Sequence, residues 1–492
     1  MATSERERDP NFLERTWGSL ARGFRDIANG TARTLGLAPH EAPGDTAALK
    51  RLMRECLEAP GGEVSARMRA AELGAAYVAL DADGRRRFLQ LLARDFAADR
   101  KKIESAIAAW QQAGEEERPL AEERLRRALQ PPRLRLLTQF STLPNGMKFL
   151  VDLRTELLAA ADGDPALKAL DGEFKVLLET WFDFGFLDVR RITWDSPASL
   201  LEKLIEYEAV HQIRSWSDLR NRLDSDRRLY ALFHPRMPDE PLAFVEVALV
   251  PALADSVQAL LDEEAEKLEP ASARGAIFYS ISNTQKGLAG IAFGEWLIKR
   301  VVQRLSAELP NLELFATLSP IPGFRRWLER QSSERLARAM TEAEQGGVRA
   351  LGGSDDLAAA LAGVLADPAW AGDATTRRAL ELPMKRLCLR YLLETRSDGQ
   401  VIDPVGRFHL RNGARLERVN WLGDVSDKGL RESASLMVNY LYDLETSDRH
   451  HEAYWQERKV TLGPEARARA RPLKGERPAK GEKAAEPERK SA

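Results

Sequence analysis

Two short stretches carry residue types and spacings that chemistry would need. Residues 276–291, AIFYSISNTQKGLAGI, run from an apolar segment through a small-residue loop into an amphipathic helix starting near Gly290. A strand that stops at a glycine-containing loop and opens a helix turns backbone N–H groups toward an anion, typically a phosphate. Residues 314–324, LFATLSPIPGF, form a second apolar run ending in Ser319. Pro320 and Pro322 stiffen the chain just after it at little entropic cost, which fixes where the hydroxyl is displayed. A rigid connector whose serine caps the following helix would show the same features.

Few side chains here suit proton transfer. The six histidines are His40, His211, His234, His409, His450 and His451. His409 sits in DPVGRFHLRNG (403–413), and His234 in FHPRMP (233–238) follows an apolar run and could line a cleft. A lone imidazole beside aromatics serves equally as a satisfied structural group. His40 reads as a loop residue, His211 as structural, and His450 and His451 as solvated. Lys286 could lend a cation to a phosphate, or be merely hydrated. Tyr442, at the end of a helix expected through Asn439–Tyr442, could supply a buried hydroxyl, although packing explains it equally.

These candidates need elements to hold them. The first ~185 residues read as helix, with Phe88, Leu91, Leu92 and Phe96 and then Phe149, Leu150, Leu153 and Leu157 at helical spacing. Breaks at Pro60-Gly61-Gly62, Pro131-Pro132, Pro144-Asn145-Gly146 and Gly163-Asp164-Pro165 divide them into a bundle-like set. After Gly185 the texture changes. Strands are expected at Val189–Trp194, Leu229–Phe233, Phe244–Val250, Ala276–Ile281 and Leu314–Thr317, with helices at Ala254–Leu268 and Ile291–Leu309 between them. That alternation predicts a mixed α/β domain. Helix returns over Phe324–Tyr391. The tail is poor in apolar residues and is expected to be disordered. The domain reading is therefore 1–186 helical bundle, a scaffold or oligomerisation module, 187–460 mixed α/β domain, and 461–492 disordered basic tail.

Composition narrows the function. The formal net charge is −2. Residues 463–492 carry nine Lys/Arg and five Glu, so the tail is +4 and the remainder −6. A mildly acidic body gives no field for nucleic acid. Cys56 and Cys388, the only cysteines, are too far apart in sequence for a disulfide framework or a zinc motif and favour a reducing compartment. No apolar run approaches a membrane span, and the N-terminus lacks a secretory core and carries Glu5, Glu7 and Asp9. The expectation is a cytoplasmic protein.

Taken together the segments resemble the malonyl-CoA decarboxylase family. The carriers are HPRMPDEPLAFVEVAL (234–249), FYSISNTQKGLAG (278–290), LIKRVV (297–302), LSPIPGF (318–324), DPVGRFHLRNGA (403–414), NWLGDVSDKGL (420–430) and SLMVNYLY (435–442). The resemblance implies an α+β multidomain chain, an N-terminal all-helical bundle followed by an acyl-CoA N-acyltransferase-like mixed α/β domain. It implies conversion of malonyl-CoA to acetyl-CoA and CO2 without metal or organic cofactor, and a homo-oligomer, dimer or tetramer. Ser319 and His409 fall on the family's catalytic serine and histidine, with Ser280 and Tyr442 on its supporting serine and tyrosine; His234, from its own place after a strand, is a further supporting candidate. The loop Thr284, Gln285, Lys286, Gly287, Leu288, Ala289 and Gly290 is similar to the CoA pyrophosphate loop of N-acyltransferases, in a register that starts at Thr284 and places Gly287 and Ala289 at the small positions. One position departs: the family's carboxylate falls on Ala292, and Glu295, three residues on, is the candidate substitute.

The implied chemistry sets requirements. Losing CO2 from a malonyl thioester leaves an enolate, whose oxygen needs preorganised donors and whose carbon needs a proton. Ser319, with nearby backbone N–H groups, is expected at the thioester or the departing carboxylate. His409 is expected to hydrogen-bond Ser319 and share in the protonation. Two rivals remain open at this point, an acyl-CoA-dependent N-acyltransferase and a non-catalytic acyl-CoA sensor.

Overall fold

The computed structural model describes residues 22–27, 46–58, 62–291 and 293–470. The chain divides into two compact units. The first comprises residues 1–188 with 232–242 and 283–293; the second comprises 189–231, 243–282 and 294–492.

In the first unit the helices run α1 (Thr46–Glu58), α2 (Gly62–Ala79), α3 (Ala82–Arg94), α4 (Arg100–Gln112), α5 (Arg118–Leu129), α6 (Pro132–Ser141), α7 (Gly146–Ala160) and α8 (Pro165–Trp181). Their starts follow from local chemistry. Asp81 caps α3 by accepting from Gly84 N at 2.7 Å, and Asp164 caps α8 by accepting from Ala166 N and Leu167 N, with Pro165 at the first helical position. Helix α7 is apolar around most of its circumference, as a central helix must be. Phe149, Leu150, Val151, Leu153 and Leu157 are all fully buried. Phe149 meets Phe24 and Tyr77 edge-on, with ring centroids 5.3 and 5.7 Å away.

Eight strands of the described chain form one mixed sheet: β1 (Asp188–Ile192), β2 (Arg227–His234), β3 (Met237–Val250), β4 (Gly275–Asn283), β5 (Leu314–Thr317), β6 (Ser319–Pro320), β7 (Arg415–Asn420) and β8 (Met437–Tyr442). Their spatial order is β1-β2-β3-β4-β5-β8-β6, with β7 on β8. Strand β2, and β3 from Pro241 onward, are buried on both faces, which is why Leu229–Phe233 and Phe244–Val250 read as apolar runs. Strands β4 and β5 pair in parallel from Gly275–Leu314 to Phe278–Thr317. Beyond that pair β4 continues to Asn283 without β5, while the chain of β5 turns away to pair β6 with β8, Ser319 opposite Val438. The helix after β4, α9, spans Phe293–Glu308.

Three expectations are corrected. Asn439–Tyr442 is strand β8, not helix. Its residues are almost all buried, so no period-two alternation marked it, and a short buried strand has the same composition as a buried helix segment. The helix before it, α11 (Asp427–Ser433), ends where Ala434 and Ser435 turn left-handed at φ 48° and 67°. The stretch Ala254–Leu268 is helical only over Val257–Leu261. The tail segment 463–470 opens with a short helix, Pro464–Arg469, and Gly463 N donates to Leu416 O at 2.8 Å. Among the described residues no helix is long and apolar enough to cross a membrane.

Candidate functional site

Four hydrogen-bonding side chains of the second unit converge at the end of β5. Thr317, two residues before Ser319, shares its strand face, so the two hydroxyls meet: Ser319 Oγ donates to Thr317 Oγ1 at 2.8 Å. Thr317 Oγ1 also accepts from Tyr440 N at 3.2 Å. The carbonyl of Thr317 accepts from Asn439 Nδ2 at 2.8 Å, and Asn439 Oδ1 accepts from Asn420 Nδ2 at 2.7 Å. The serine thus stands in β6, which pairs with β8, itself paired with β5 and β7.

His409 comes from helix α10 (Pro404–Arg411). Asp403 caps α10 by accepting from Gly406 N at 2.6 Å, Pro404 occupies its first position, and Tyr391 Oη donates to Asp403 Oδ2 at 3.1 Å. Gly406 allows a close approach, since a Cβ there would lie 2.9 Å from Tyr440 Oη. The His409 ring accordingly stacks on Tyr440, with centroids 4.7 Å apart. Its Nε2 lies 3.1 Å from Ser319 Oγ, across 90 residues of sequence. Its Nδ1 lies 2.8 Å from Tyr442 Oη. Ser319 and His409 are both buried, and burial holds the imidazole down at about 3, so it is neutral at physiological pH.

Proton placement follows from these partners. The Ser319 proton points at Thr317, so Ser319 Oγ receives a bond from Nε2–H, and Nδ1 accepts from the Tyr442 hydroxyl. The order Tyr442, His409, Ser319 is a chain of donors aimed one way, toward the serine. Such a row can deliver a proton and draw a replacement from behind.

The other sequence-predicted residues lie elsewhere. The Ser280 hydroxyl donates to the Glu208 carboxylate at 2.7 and 2.8 Å, and Ser282 joins it at 3.0 Å. His234, in the first unit, accepts from Arg236 N at Nδ1 and packs on Phe182 with centroids 4.9 Å apart. Ala292 and the side chain of Glu295 lie outside the described residues. Among the described residues no cluster of three or more His, Cys, Asp or Glu could hold a metal ion.

The loop 284–290 is more tightly tied than expected. Lys286–Leu288 forms a 3-10 turn, in which Leu288 N and Ala289 N bond Gln285 O and Lys286 O, both at 3.0 Å. Gln285 Nε2 donates to Pro241 O at 3.0 Å, and Thr284 Oγ1 donates to the same carbonyl. Gly287 is set against α7 so closely that a Cβ would fall 1.8 Å from Val151 O. Arg154, buried in α7, donates from Nη1 to Gly287 O at 2.8 Å and Ala289 O at 3.0 Å, and from Nε to Asp171 at 2.7 Å. The loop's exposed edge is Lys286, Ala289 and Gly290. Gly290 has φ 83°, and a Cβ there would meet Lys175 Cε at 3.2 Å and Nζ at 3.5 Å, so a second ammonium stands beside it.

Sequence reasoning missed Thr317, Asp403, Arg154, Lys175 and Glu208. Two had a signal: the Thr-Leu-Ser spacing puts both hydroxyls on one strand face, and Asp403-Pro404 is a helix-start signature. Nothing local marks Arg154, Lys175 or Glu208, because each acts on a segment distant in sequence.

Two family models match the chain, the malonyl-CoA decarboxylase C-terminal domain over residues 185–481 and its N-terminal domain over residues 96–182. The chain is 39% identical over 408 residues to "Malonyl-CoA decarboxylase, mitochondrial" of Anser anser anser, covering 79% of this chain and 80% of that one. The crystal structure of malonyl-CoA decarboxylase from Rhodopseudomonas palustris is similar at 41% identity and a TM-score of 0.77, covering 87% of this chain and 100% of the other. That from Agrobacterium vitis matches at 39% identity and a TM-score of 0.78, covering 86% and 99%.

Proposed function

The chain belongs to the malonyl-CoA decarboxylase family, and from that premise we propose that it is a carboxy-lyase that works through Ser319 and His409. The observation that carries the residue assignment is the buried Oγ–Nε2 contact of 3.1 Å, backed by Tyr442 on one side and Thr317 on the other. Malonyl-CoA is the substrate. Cleavage of its C–C bond releases CO2 and leaves the electron pair in a thioester enolate. The Ser319 hydroxyl turns from Thr317 to the enolate carbon and gives up its proton, completing the methyl group of acetyl-CoA. The neutral imidazole returns a proton to Ser319 from Nε2 and is resupplied at Nδ1 through Tyr442, for a net uptake of one proton from solvent. A neutral relay suits this step, because a permanently charged imidazolium would be costly in so dry a place. Burial also favours the dispersed charge of the transition state over the localised carboxylate.

The CoA phosphates are assigned to the exposed edge of the 284–290 loop, with Lys286 and Lys175 as the cations and the Gly290 backbone between them. Thr284, Gln285, Gly287 and Leu288 hold the loop's shape. The free, buried state of Cys56 and Cys388 supports a reducing, cytoplasmic setting, and the homo-oligomer remains a reading from family resemblance, checked by light scattering.

Incubation with malonyl-CoA and no acceptor tests the function. Stoichiometric CO2 and acetyl-CoA are expected. Tight acyl-CoA binding without turnover would favour a sensor, and turnover that waits for an added amine would favour an N-acyltransferase.

A further inference from the structure

Two hydrogen bonds do not by themselves hold an imidazole still. The χ2 torsion of histidine is broad and roughly two-fold, so the ring tilts at little cost unless something flat lies against it. A tilt swings both nitrogens at once, and the contacts of His409 with Ser319 and Tyr442 lengthen together. The face of the ring therefore matters to the relay as much as its edges.

That face is covered by Tyr440. The two rings are stacked, with centroids 4.7 Å apart and planes 26° from parallel, and such pairs stabilise beyond the area they bury. Tyr440 and Tyr442 are two residues apart on β8, so their side chains leave the strand on the same side. One strand thus gives the imidazole both a flat rest and a partner for Nδ1. The backbone of Tyr440 also reaches the serine. Its N–H donates to Thr317 Oγ1 at 3.2 Å, the atom on which the Ser319 hydroxyl rests.

The Tyr440 hydroxyl contributes no bond to this arrangement. The residue is fully buried, and Oη finds no hydrogen-bond partner among the described residues. An unpaired buried donor is unfavourable, so the hydroxyl is not what holds the ring in place. Contact with α10 does that instead. A Cβ at Gly406 would lie 2.9 Å from Oη, closer than such atoms pack. Gly406 and His409 are three residues apart and share a helix face, so glycine at 406 is what admits a tyrosine beneath the imidazole.

We propose that Tyr440 is a positioning residue for the decarboxylation, its ring fixing the plane of His409 so that Nε2 stays on Ser319 and Nδ1 on Tyr442. The proposal rests on the Ser319–His409 reading above and adds to it a residue that acts through the imidazole.

The test measures kcat and KM for malonyl-CoA in Tyr440→Leu, Tyr440→Phe, Gly406→Ala and the double variant Gly406→Ala/Tyr440→Phe, with urea midpoints reporting the fold. Tyr440→Leu keeps an apolar side chain but no flat face, and it lowers kcat about tenfold with KM held within about twofold. Tyr440→Phe keeps the face and recovers most of that loss. Gly406→Ala presses on Oη and tilts the stacked ring, so kcat falls severalfold. Adding Tyr440→Phe removes the atom in the way and restores kcat, a rescue that a general loss of stability does not give. An unchanged kcat in Tyr440→Leu overturns the proposal, and so does an equal loss in Tyr440→Phe, which would assign the effect to the hydroxyl. If Tyr440→Leu fails to fold, the Gly406 pair decides: a double variant no faster than Gly406→Ala overturns the proposal. Wild-type CO2 release by His409→Asn contradicts the Ser319–His409 reading itself, a separate outcome.

Discussion

At the residue scale, catalysis turns on which way protons point. Ser319 donates to Thr317 at rest, so it is poised as a proton carrier instead of a nucleophile kept deprotonated by the imidazole. Ser319→Ala removes the carrier and should lower kcat by about 10²–10⁴-fold, within the range of general acid catalysis; a loss below tenfold would mean that His409 reaches the enolate unaided. Tyr442→Phe takes away the donor at Nδ1 and frees the ring to take the opposite tautomer. It should cost about tenfold in kcat with KM unchanged, and a matching rise in KM would instead place Tyr442 at the substrate. Asn439 and Asn420 are buried and bonded to each other, and they hold the Thr317 carbonyl without any part in proton transfer.

Elements decide whether these residues meet, and here legibility in the sequence was uneven. Strand β5 was readable over Leu314–Thr317 because a short apolar run ends at turn residues, and α9 was readable from its apolar period and the loop before it. Strand β8 was misread as helix, although it bonds β5, β6 and β7, because a fully buried strand shows no alternation. The partners that set His409 come from α10 and β8, and only folding brings these to β5. Arg154 gave no local sign, yet its guanidinium ties the loop carbonyls of Gly287 and Ala289 to α7. Arg154→Ala would strand Asp171 and two carbonyls, and should raise KM for malonyl-CoA severalfold and lower thermal stability; an unaltered KM would separate the loop from substrate binding. Lys175→Ala with Lys286→Ala should raise KM and weaken its dependence on ionic strength, since two exposed cations act through screened Coulomb attraction. An unchanged salt slope would remove the phosphates from this edge.

The whole molecule carries the cost of burying its imidazoles. His409 and His211 are held by burial at about 3 and about 4, against an ordinary value near 6.5. The unfolded chain takes up these protons first as pH falls, so stability is full above about pH 6.5 and declines from there toward pH 3. Glu246, pushed up to about 7 by burial, acts in the opposite sense, its proton uptake favouring the folded state as pH falls below 7. His234 and His450 are lowered by burial as well, and Asp152 and Asp403 are raised by burial like Glu246, so four imidazoles stand against three carboxyls and leave a net decline. Urea midpoints measured between pH 7 and pH 5 should therefore fall, and His409→Asn should flatten the slope; an unchanged slope in that variant would mean His409 is solvated. The same variant supplies the most direct test of the central claim, that a serine and an imidazole buried together decarboxylate malonyl-CoA. Acceptor-free CO2 release should drop by orders of magnitude in His409→Asn while its affinity for acetyl-CoA, measured by calorimetry, stays near that of the wild type. Wild-type rates of CO2 release from that variant would contradict the account.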